Sequence, residues 1–110
     1  MLKKKNRISK RSEFEEIRKS GSFLGFSHFF GVVVLDKKDE DLKFGIVTSK
    51  KISKKAVERN KIKRRLMEIL GKNLNKFEKG RRFLFLSKKE ILKTDMVGLE
   101  KEIERLCLKK

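Results

Sequence analysis

The sequence has few of the residues that build disulfides, metal sites and active sites. Its 110 residues include one cysteine and one histidine, and no proline, tryptophan or tyrosine. Cys107 cannot close a disulfide within the chain, and without a second cysteine or a nearby histidine it does not provide a zinc site. His28 is also alone, because no serine, cysteine or carboxylate pair is spaced for nucleophilic or acid–base chemistry. We therefore predict no catalytic residue and no metal ligand in the protein itself.

Long apolar runs are missing as well. The basic start of the chain, Met1–Lys5, is not followed by an apolar stretch of signal-peptide length. No segment approaches the roughly 20 apolar residues of a membrane span. We therefore expect a cytoplasmic protein with no membrane partner. The length predicts a single domain, residues 1–110.

Acidic residues are scarce relative to basic ones. The chain has 15 aspartates and glutamates against 32 lysines and arginines, which gives a formal charge of +17. Repulsion of this size works against the compact state unless a polyanion neutralises it. We therefore expect nucleic acid both to bind the domain and to stabilise it. An anionic membrane surface and an acidic protein are weaker alternatives.

The first part of the chain predicts a basic arm followed by a short helix. Residues 1–11 carry six cations and no acid, and a block of like charges favours an extended arm. Ser12 and Glu15 have the spacing of a capping box. They predict a helix over about 13–19, and Gly21 suits the position just past its end.

Strand patterns follow, and then the period changes to that of a helix. Residues 22–26, 29–35 and 42–48 are rich in aromatic and β-branched side chains, and the last two suggest an antiparallel pair across a polar turn. Residues 55–76 predict a helix packed on a sheet. Its apolar stripe consists of Ile62, Leu66, Ile69 and Leu70.

The remaining elements complete an α+β pattern. Residues 82–86 predict a strand, so the strand–helix–strand unit makes part of the sheet parallel. Ser87 and Glu90 are spaced to cap a single turn. Asp95 can cap a last helix, whose apolar positions Leu99, Ile103 and Leu106 repeat at i, i+4 and i+7. The order α-β-β-β-α-β-α fits a two-layer α/β sandwich with a small mixed sheet.

Positive charge is concentrated in residues 50–65, which contain nine cations and one acid, Glu58. On a helical wheel Asn60, Lys61, Arg64 and Arg65 lie away from the apolar stripe, with Lys63 at its border and Arg59 near it. Arginine offers bidentate contacts to phosphate, lysine a mobile charge, and the helix N-terminus backbone donors. Such a surface fits the closely spaced phosphates and 2′-hydroxyls of a folded RNA.

These residues resemble a known family. Residues 56–64, Ala-Val-Glu-Arg-Asn-Lys-Ile-Lys-Arg, are similar to the Ala-Val-x-Arg-Asn-x-x-Lys-Arg signature of the bacterial ribonuclease P protein component. Ser49-Lys50-Lys51 resembles the basic lead-in to that signature, and Asn6-Arg7-Ile8, Phe14 and Gly21 resemble the N-terminal pattern of the family. The likeness covers nearly the whole chain in length, element order and charge.

The resemblance implies a function in tRNA processing. Proteins of this family bind a catalytic RNA subunit and the single-stranded 5′ leader of precursor tRNA. The RNA carries the magnesium-dependent hydrolysis that leaves the mature 5′ end, so no cofactor is expected to be bound by protein residues alone. The resemblance also implies a left-handed strand–helix–strand crossover, against the usual rule, and one protein for each RNA subunit.

Carried onto this sequence, the resemblance implies two groups of contacts. The RNA-subunit contacts are Lys50, Lys51, Lys55, Arg59, Asn60, Lys61, Lys63, Arg64 and Arg65. The leader contacts are Arg7, Phe14, Arg18, Phe30 and Val33; Phe29 and Phe30 face opposite sides of a strand, so one suits the core and the other a cleft. Three positions depart from the family: Arg18 replaces a common aromatic, Ser53-Lys54-Lys55 a usual glycine, and Met67 a common arginine.

Three other functions are weighed against this one. A small ribosomal-type RNA-binding protein shares the size and charge but has no reason to distinguish precursor from mature tRNA. A membrane-surface protein would need a broad apolar face opposite its cations, whereas the stripe at 62–70 is narrow. A self-sufficient nuclease would need catalytic groups that the sequence lacks.

Overall fold

The computed structural model describes residues 2–108, so Met1 of the predicted arm and residues 109–110 of the predicted domain lie outside the described residues. Three helices and four strands form in the predicted order, joined by 3-10 turns at Lys4–Asn6, Leu74–Lys76 and Lys89–Lys93. The helices and strands are α1 (Arg11–Ser20), β1 (Ser22–Phe26), β2 (Phe30–Asp36), β3 (Lys43–Val47), α2 (Ala56–Lys72), β4 (Arg81–Ser87) and α3 (Met96–Cys107). The predicted α+β class is confirmed.

The four strands form one mixed sheet in the order β1-β2-β4-β3. β2 pairs antiparallel with both β1 and β4, and β3 pairs parallel with β4. The parallel part predicted for the strand–helix–strand unit is therefore confirmed. The predicted antiparallel pairing of the second and third strands is wrong, because β4 lies between them.

The main core lies on the face of the sheet that carries α2 and α3, here called the core face. All four residues of the predicted α2 stripe are buried there, together with Leu99 and Ile103 of α3. Four phenylalanines, at 30, 44, 83 and 85, fill the sheet side of this layer and are at most 2% exposed. Burial of large side chains at this density is the chief stabilising term of so small a domain.

The other face of the sheet, here called the cleft face, is covered only in part by α1. A smaller cluster of Ile8, Ile17 and Leu84 holds α1 on it. Gly21 caps the C-terminal end of the helix, and only glycine fits there, because a Cβ would lie 2.5 Å from the carbonyl oxygen of Ile17 and 2.9 Å from Val33 Cγ1. The uncovered part of this face is the feature that positions the cleft described below.

Of the three N-terminal helix caps predicted from the sequence, one is confirmed and two are wrong. Asp95 caps α3 by accepting a hydrogen bond from the Gly98 N–H at 2.8 Å, as predicted. The capping role predicted for Ser12 is wrong: α1 starts at Arg11, and its N-cap is Lys10, which makes no side-chain cap. Ser87 likewise ends β4 and does not cap the turn that follows, whose N-cap is Lys88.

The N-terminal segment is extended at Lys3, Arg7 and Lys10 but lies against the domain. Its Leu2 is 1% exposed in the main core. Arg7 forms a parallel bridge with Phe44 of the edge strand β3, and the Ile8 N–H donates to the Phe44 carbonyl at 2.9 Å. The segment therefore continues the sheet beyond β3, which places its cations beside α1 and α2.

Candidate nucleic-acid interface

The basic segments lack acidic partners among residues 2–108. The ion pairs in this part of the chain are Glu13–Lys43, Glu16–Lys37, Glu78–Arg81, Asp39–Arg82, Glu100–Lys72 and Glu102–Arg105. None of them uses a cation of the N-terminal segment or of residues 50–65. The carboxylates thus neutralise other parts of the surface, and the two basic segments remain available to a polyanion.

The start of α2 is fixed by a small hydrogen-bonded network. The Ser53 hydroxyl donates to the Glu58 carboxylate and accepts from the Lys55 N–H at 3.1 Å. Arg59 donates from Nη1 to the Ser53 carbonyl oxygen at 2.9 Å. Glu58, the one acid of the segment, is therefore engaged with a serine, and Arg59 holds the loop while keeping its other donors. Lys50, Lys51 and Lys55 are exposed on this loop and at the helix start.

One side of α2 forms a basic groove with the N-terminal segment. It is an open depression of about 540 Å³ lined by Arg7, Val57, Asn60, Lys63, Arg64 and Met67. Arg7 of the N-terminal segment lines this groove, and its Nη2 donates to the Leu2 carbonyl oxygen at 2.7 Å. The groove combines cations, an amide and the apolar side chains of Val57 and Met67, which suits a phosphate backbone with its sugars.

The other predicted contacts of α2 lie on a different side of the helix from this groove. Lys61 and Arg65 line a separate small recess with Glu58, Ile62 and Leu92. Arg65 donates from Nη1 to the Thr94 carbonyl oxygen at 3.2 Å, so its guanidinium is partly used to hold the turn before α3. The predicted set therefore divides into Asn60, Lys63 and Arg64 on one side of the helix and Lys61 and Arg65 on another.

A cleft lies on the opposite side of the sheet, beside α1. Its floor is a row of residues in register across all four strands, Phe26, Gly31, Leu86 and Val47. Neighbours in such a row are about 5 Å apart. Helix α1 forms one wall, and at the β3 end a shallow pocket of about 340 Å³ is lined by Ser9, Arg11, Phe14, Glu15, Arg18 and Val47. Phe14 and Arg18 thus lie together at this wall, one turn apart on α1.

Two of the predicted leader contacts do not belong to this cleft. Phe30 is fully buried in the core and packs edge-on against Phe85, so it has no surface to offer to RNA, and that prediction is wrong. Phe29 is only partly buried, but it also packs against the main core. Arg7 lines the α2 groove. Val33 faces the cleft side and packs partly buried beside Ile17 and Leu84.

Sequence reasoning missed the far end of the cleft. Phe23 and Phe26 of β1 are 58% and 63% exposed, and their ring centroids are 5.8 Å apart. Lys88 Nζ lies 4.3 Å from the centre of the Phe26 ring and donates to the Ser27 carbonyl oxygen at 2.8 Å. Gly25 could have indicated this feature in the sequence, since a glycine inside a strand pattern often marks a bulge that changes which way neighbouring side chains face.

The lone thiol and imidazole lie outside both surfaces. Cys107 packs against the main core, and burial raises the pKa of its thiol to about 12, so it is not a reactive thiolate at neutral pH. His28 is exposed in the turn between β1 and β2 and stacks edge-on against Phe29. Within residues 2–108 no three His, Cys, Asp or Glu side chains gather as a metal site. No helix in that range is long and apolar enough to cross a membrane.

This chain is similar to known proteins of one family. The family model described as Ribonuclease P matches residues 2–110. The ribonuclease P protein component of a Synechococcus species is 31% identical over 99% of this chain and 84% of its own length. That of Bacillus mycoides is 32% identical over 93% of this chain and 88% of its own length. The RNase P protein from Thermotoga maritima superposes with a TM-score of 0.83 at 26% identity, covering 93% of this chain and 94% of its own.

The fold and its basic surfaces define a small α+β protein that binds RNA as part of a ribonucleoprotein. The chain belongs to the family of bacterial ribonuclease P protein components. It is therefore the protein subunit of an endoribonuclease that processes tRNA, and its partner is ribonuclease P RNA.

Proposed function

We propose that this subunit uses two separate surfaces, one for the RNA subunit and one for the 5′ leader of precursor tRNA. The α2 groove and the exposed lysines at the start of α2 dock on the RNA subunit. The cleft beside α1 holds the leader. By binding both, the protein favours precursor over mature tRNA in the RNA-catalysed removal of the leader.

The assignment of the α2 surface rests on charge that the protein leaves unpaired. Asn60 and Arg64 are exposed, Lys63 is partly exposed, and Arg7 lies beside them. No carboxylate of residues 2–108 forms an ion pair with these cations. Helix α2 fixes the backbone of Asn60, Lys63 and Arg64, so little backbone entropy is lost on binding to a folded RNA.

The assignment of the cleft rests on its shape and chemistry. Its floor is apolar and continuous across the sheet, and Phe14 lies at its α1 wall with Arg11 and Arg18. Aromatic rings beside cations are the usual means of holding single-stranded RNA without reading a sequence, because every base offers a face for stacking. This chemistry suits the single-stranded leader of precursor tRNA better than a base-paired duplex, whose bases are already stacked on one another.

We propose that magnesium ions act through the RNA subunit and that no protein side chain takes part in the hydrolysis. Two carboxylates of α1 form ion pairs with lysines: Glu13 with Lys43 at 3.3 Å and Glu16 with Lys37 at 3.0 Å. These acids therefore support the position of α1. We also propose one protein for each RNA subunit and a cytoplasmic location, where precursor tRNA is made in bacteria.

A reconstitution assay tests the proposed function. Purified protein, a bacterial ribonuclease P RNA and 5′-labelled precursor tRNA are mixed at low magnesium, with each component omitted in turn. We expect cleavage at the mature 5′ end only when both the protein and the RNA subunit are present. Tight general RNA binding without stimulation of cleavage would instead favour a structural RNA-binding role.

A further inference from the structure

The exposed aromatic pair on β1 is the part of the cleft face that the proposed function does not yet use. Phe23 and Phe26 are the most exposed phenylalanines among residues 2–108, and their rings tilt by 44°. Exposure of large apolar rings is costly for a small domain and is typical of a binding surface. The rings lie at the β1 end of the cleft floor, away from Phe14.

A β-bulge is the reason that both rings share one face. Residues three apart in a regular strand point to opposite sides. Here Phe23 is opposite Val33 and Gly25 is opposite Val32, so Leu24 is an extra residue. Phe26 then pairs with Gly31, two residues from Val33, and so lies on the same side as Phe23. Gly25 has a φ of +154°, which favours glycine at this point.

The protein surface between the two rings is flat, and it continues the floor of the cleft. Gly31 has no side chain, and a Cβ there would be 3.6 Å from Phe23 Cε1 and 3.8 Å from Phe26 Cβ. From Gly31 the row passes to Leu86 and to Val47, next to the Phe14 pocket. The three strand spacings between β1 and β3 separate the two ends by about 14 Å. A single strand of RNA lying in the cleft meets both ends.

The charge beside the rings fits RNA. Lys88 Nζ stands over Phe26 at 4.3 Å and is held by the Ser27 carbonyl oxygen. It forms no ion pair with a carboxylate of residues 2–108. An ammonium fixed beside an exposed ring offers a phosphate contact and a stacking surface at one place.

We propose that Phe23, Phe26 and Lys88 form a second stacking subsite for single-stranded RNA. It takes leader nucleotides farther from the cleavage site than those that contact Phe14. This inference rests on the proposed function, because it requires the leader to lie in the cleft. It adds that leaders long enough to reach β1 gain affinity there.

Leader length is the variable that tests the subsite. The holoenzyme is assembled with wild-type protein or with Phe23→Ala/Phe26→Ala, and its affinity is measured for precursor tRNAs whose leaders are lengthened one nucleotide at a time. We expect the variant to bind short-leader substrates as the wild type does, and to lose about 5- to 100-fold in affinity for long-leader substrates. Val97→Ala, which trims a 61% exposed residue on α3, is the matched control and leaves both unchanged.

Two further variants separate stacking from general apolar contact. Phe26→Leu keeps an apolar side chain and should show most of the loss. Phe26→Trp keeps a stacking ring and should retain affinity. Because the chain contains no tryptophan, the introduced indole is a unique fluorophore, and we expect long-leader precursor, but not leaderless tRNA, to quench it.

The possible failures are distinguishable. The second subsite is refuted if the double alanine variant binds every leader length as the wild type does, or if it loses affinity equally for all lengths. In either case, a loss of affinity with Phe14→Ala that does not depend on leader length would leave the proposed function standing. If neither variant alters the preference for a leader, the proposed function itself fails. If the rings are needed for a protein partner and not for RNA, the subsite is likewise refuted.

Discussion

Phe14 lies directly over Gly45: a Cβ on Gly45 would be 2.8 Å from Phe14 Cε1. The same Cβ would be 3.2 Å from Leu84 Cδ1 and 3.3 Å from Ile8 Cδ1. The bare backbone of β3 therefore gives the Phe14 ring its place at the cleft wall, and the neighbouring side chains leave no room for a methyl group.

Gly45→Ala should displace Phe14 and weaken the preference for substrates with a leader. Overpacking of this kind costs about 1–3 kcal/mol of the free energy of unfolding, which urea denaturation measures. Val97→Ala is the control, since Val97 is an exposed residue of α3 that lies outside the cleft. Equal leader preference in the two variants would show that Gly45 does not position Phe14.

The Asp39–Arg82 pair should make stability depend on pH in the acid range. Arg82 Nη2 donates to Asp39 Oδ2 at 2.7 Å, and this hydrogen bond holds the pKa of Asp39 below its ordinary 3.8. A lowered carboxyl pKa stabilises the fold above that ordinary value, and the contribution is lost as the pH falls through the lowered pKa. Asp39→Asn should therefore lower the melting temperature at neutral pH and reduce its decline below about pH 4.

Glu40→Gln controls for the loss of one negative charge in the same turn. Glu40 is exposed and makes no ion pair with a cation of residues 2–108. Parallel melting curves against pH for Asp39→Asn and the wild type would contradict the role given to the pair.

Arg64→Ala should weaken binding to the RNA subunit and flatten its dependence on salt. Each phosphate contact that is lost reduces the slope of log K against log salt by about 0.7–0.9. Arg7→Ala should behave in the same way, because Arg7 lines the α2 groove. Lys72→Ala is a control on the same helix, where the lysine pairs with Glu100 at 3.9 Å. An unchanged slope for Arg64→Ala would show that the α2 groove is not part of the interface with the RNA subunit.

Polyanions should stabilise the isolated protein. The formal charge of +17 is concentrated in two segments without acidic partners among the described residues, and bound anions relieve their repulsion. We expect the melting temperature to rise in sulfate or RNA more than in sodium chloride of equal ionic strength. If the melting temperature rose equally with the polyanion and with sodium chloride, screening of charge alone would explain the effect.

The sequence predicted best those features that depend on local periodicity. The α2 stripe from Ile62 to Leu70 and the Asp95 cap follow from the helical repeat and from one short side chain, and both are as expected. The pairing of β2 with β4 was not predictable in this way, because insertion of a later strand between two earlier ones is decided by packing of the whole chain.

The candidate site shows the same division. The basic signature of α2 was visible in the sequence, but the division of its cations into two sides depends on what packs around the helix. Phe30 was misassigned because the sequence of a strand alone does not decide which of its alternating residues face the core; that depends on the strands and helices with which it packs. Phe23 and Phe26 were missed because the bulge at Leu24, and not the spacing of the two residues, brings them to one face.

The most direct test of the account compares Phe14→Ala with Arg64→Ala in one experiment. Affinity for the RNA subunit, and the ratio of holoenzyme affinities for precursor and mature tRNA, are measured for both. Two separate surfaces predict that Arg64→Ala lowers the first and leaves the ratio near that of wild type once the holoenzyme is saturated, whereas Phe14→Ala leaves the first unchanged and lowers the ratio. If both variants changed both quantities alike, the division into an RNA-subunit surface and a leader cleft would be contradicted.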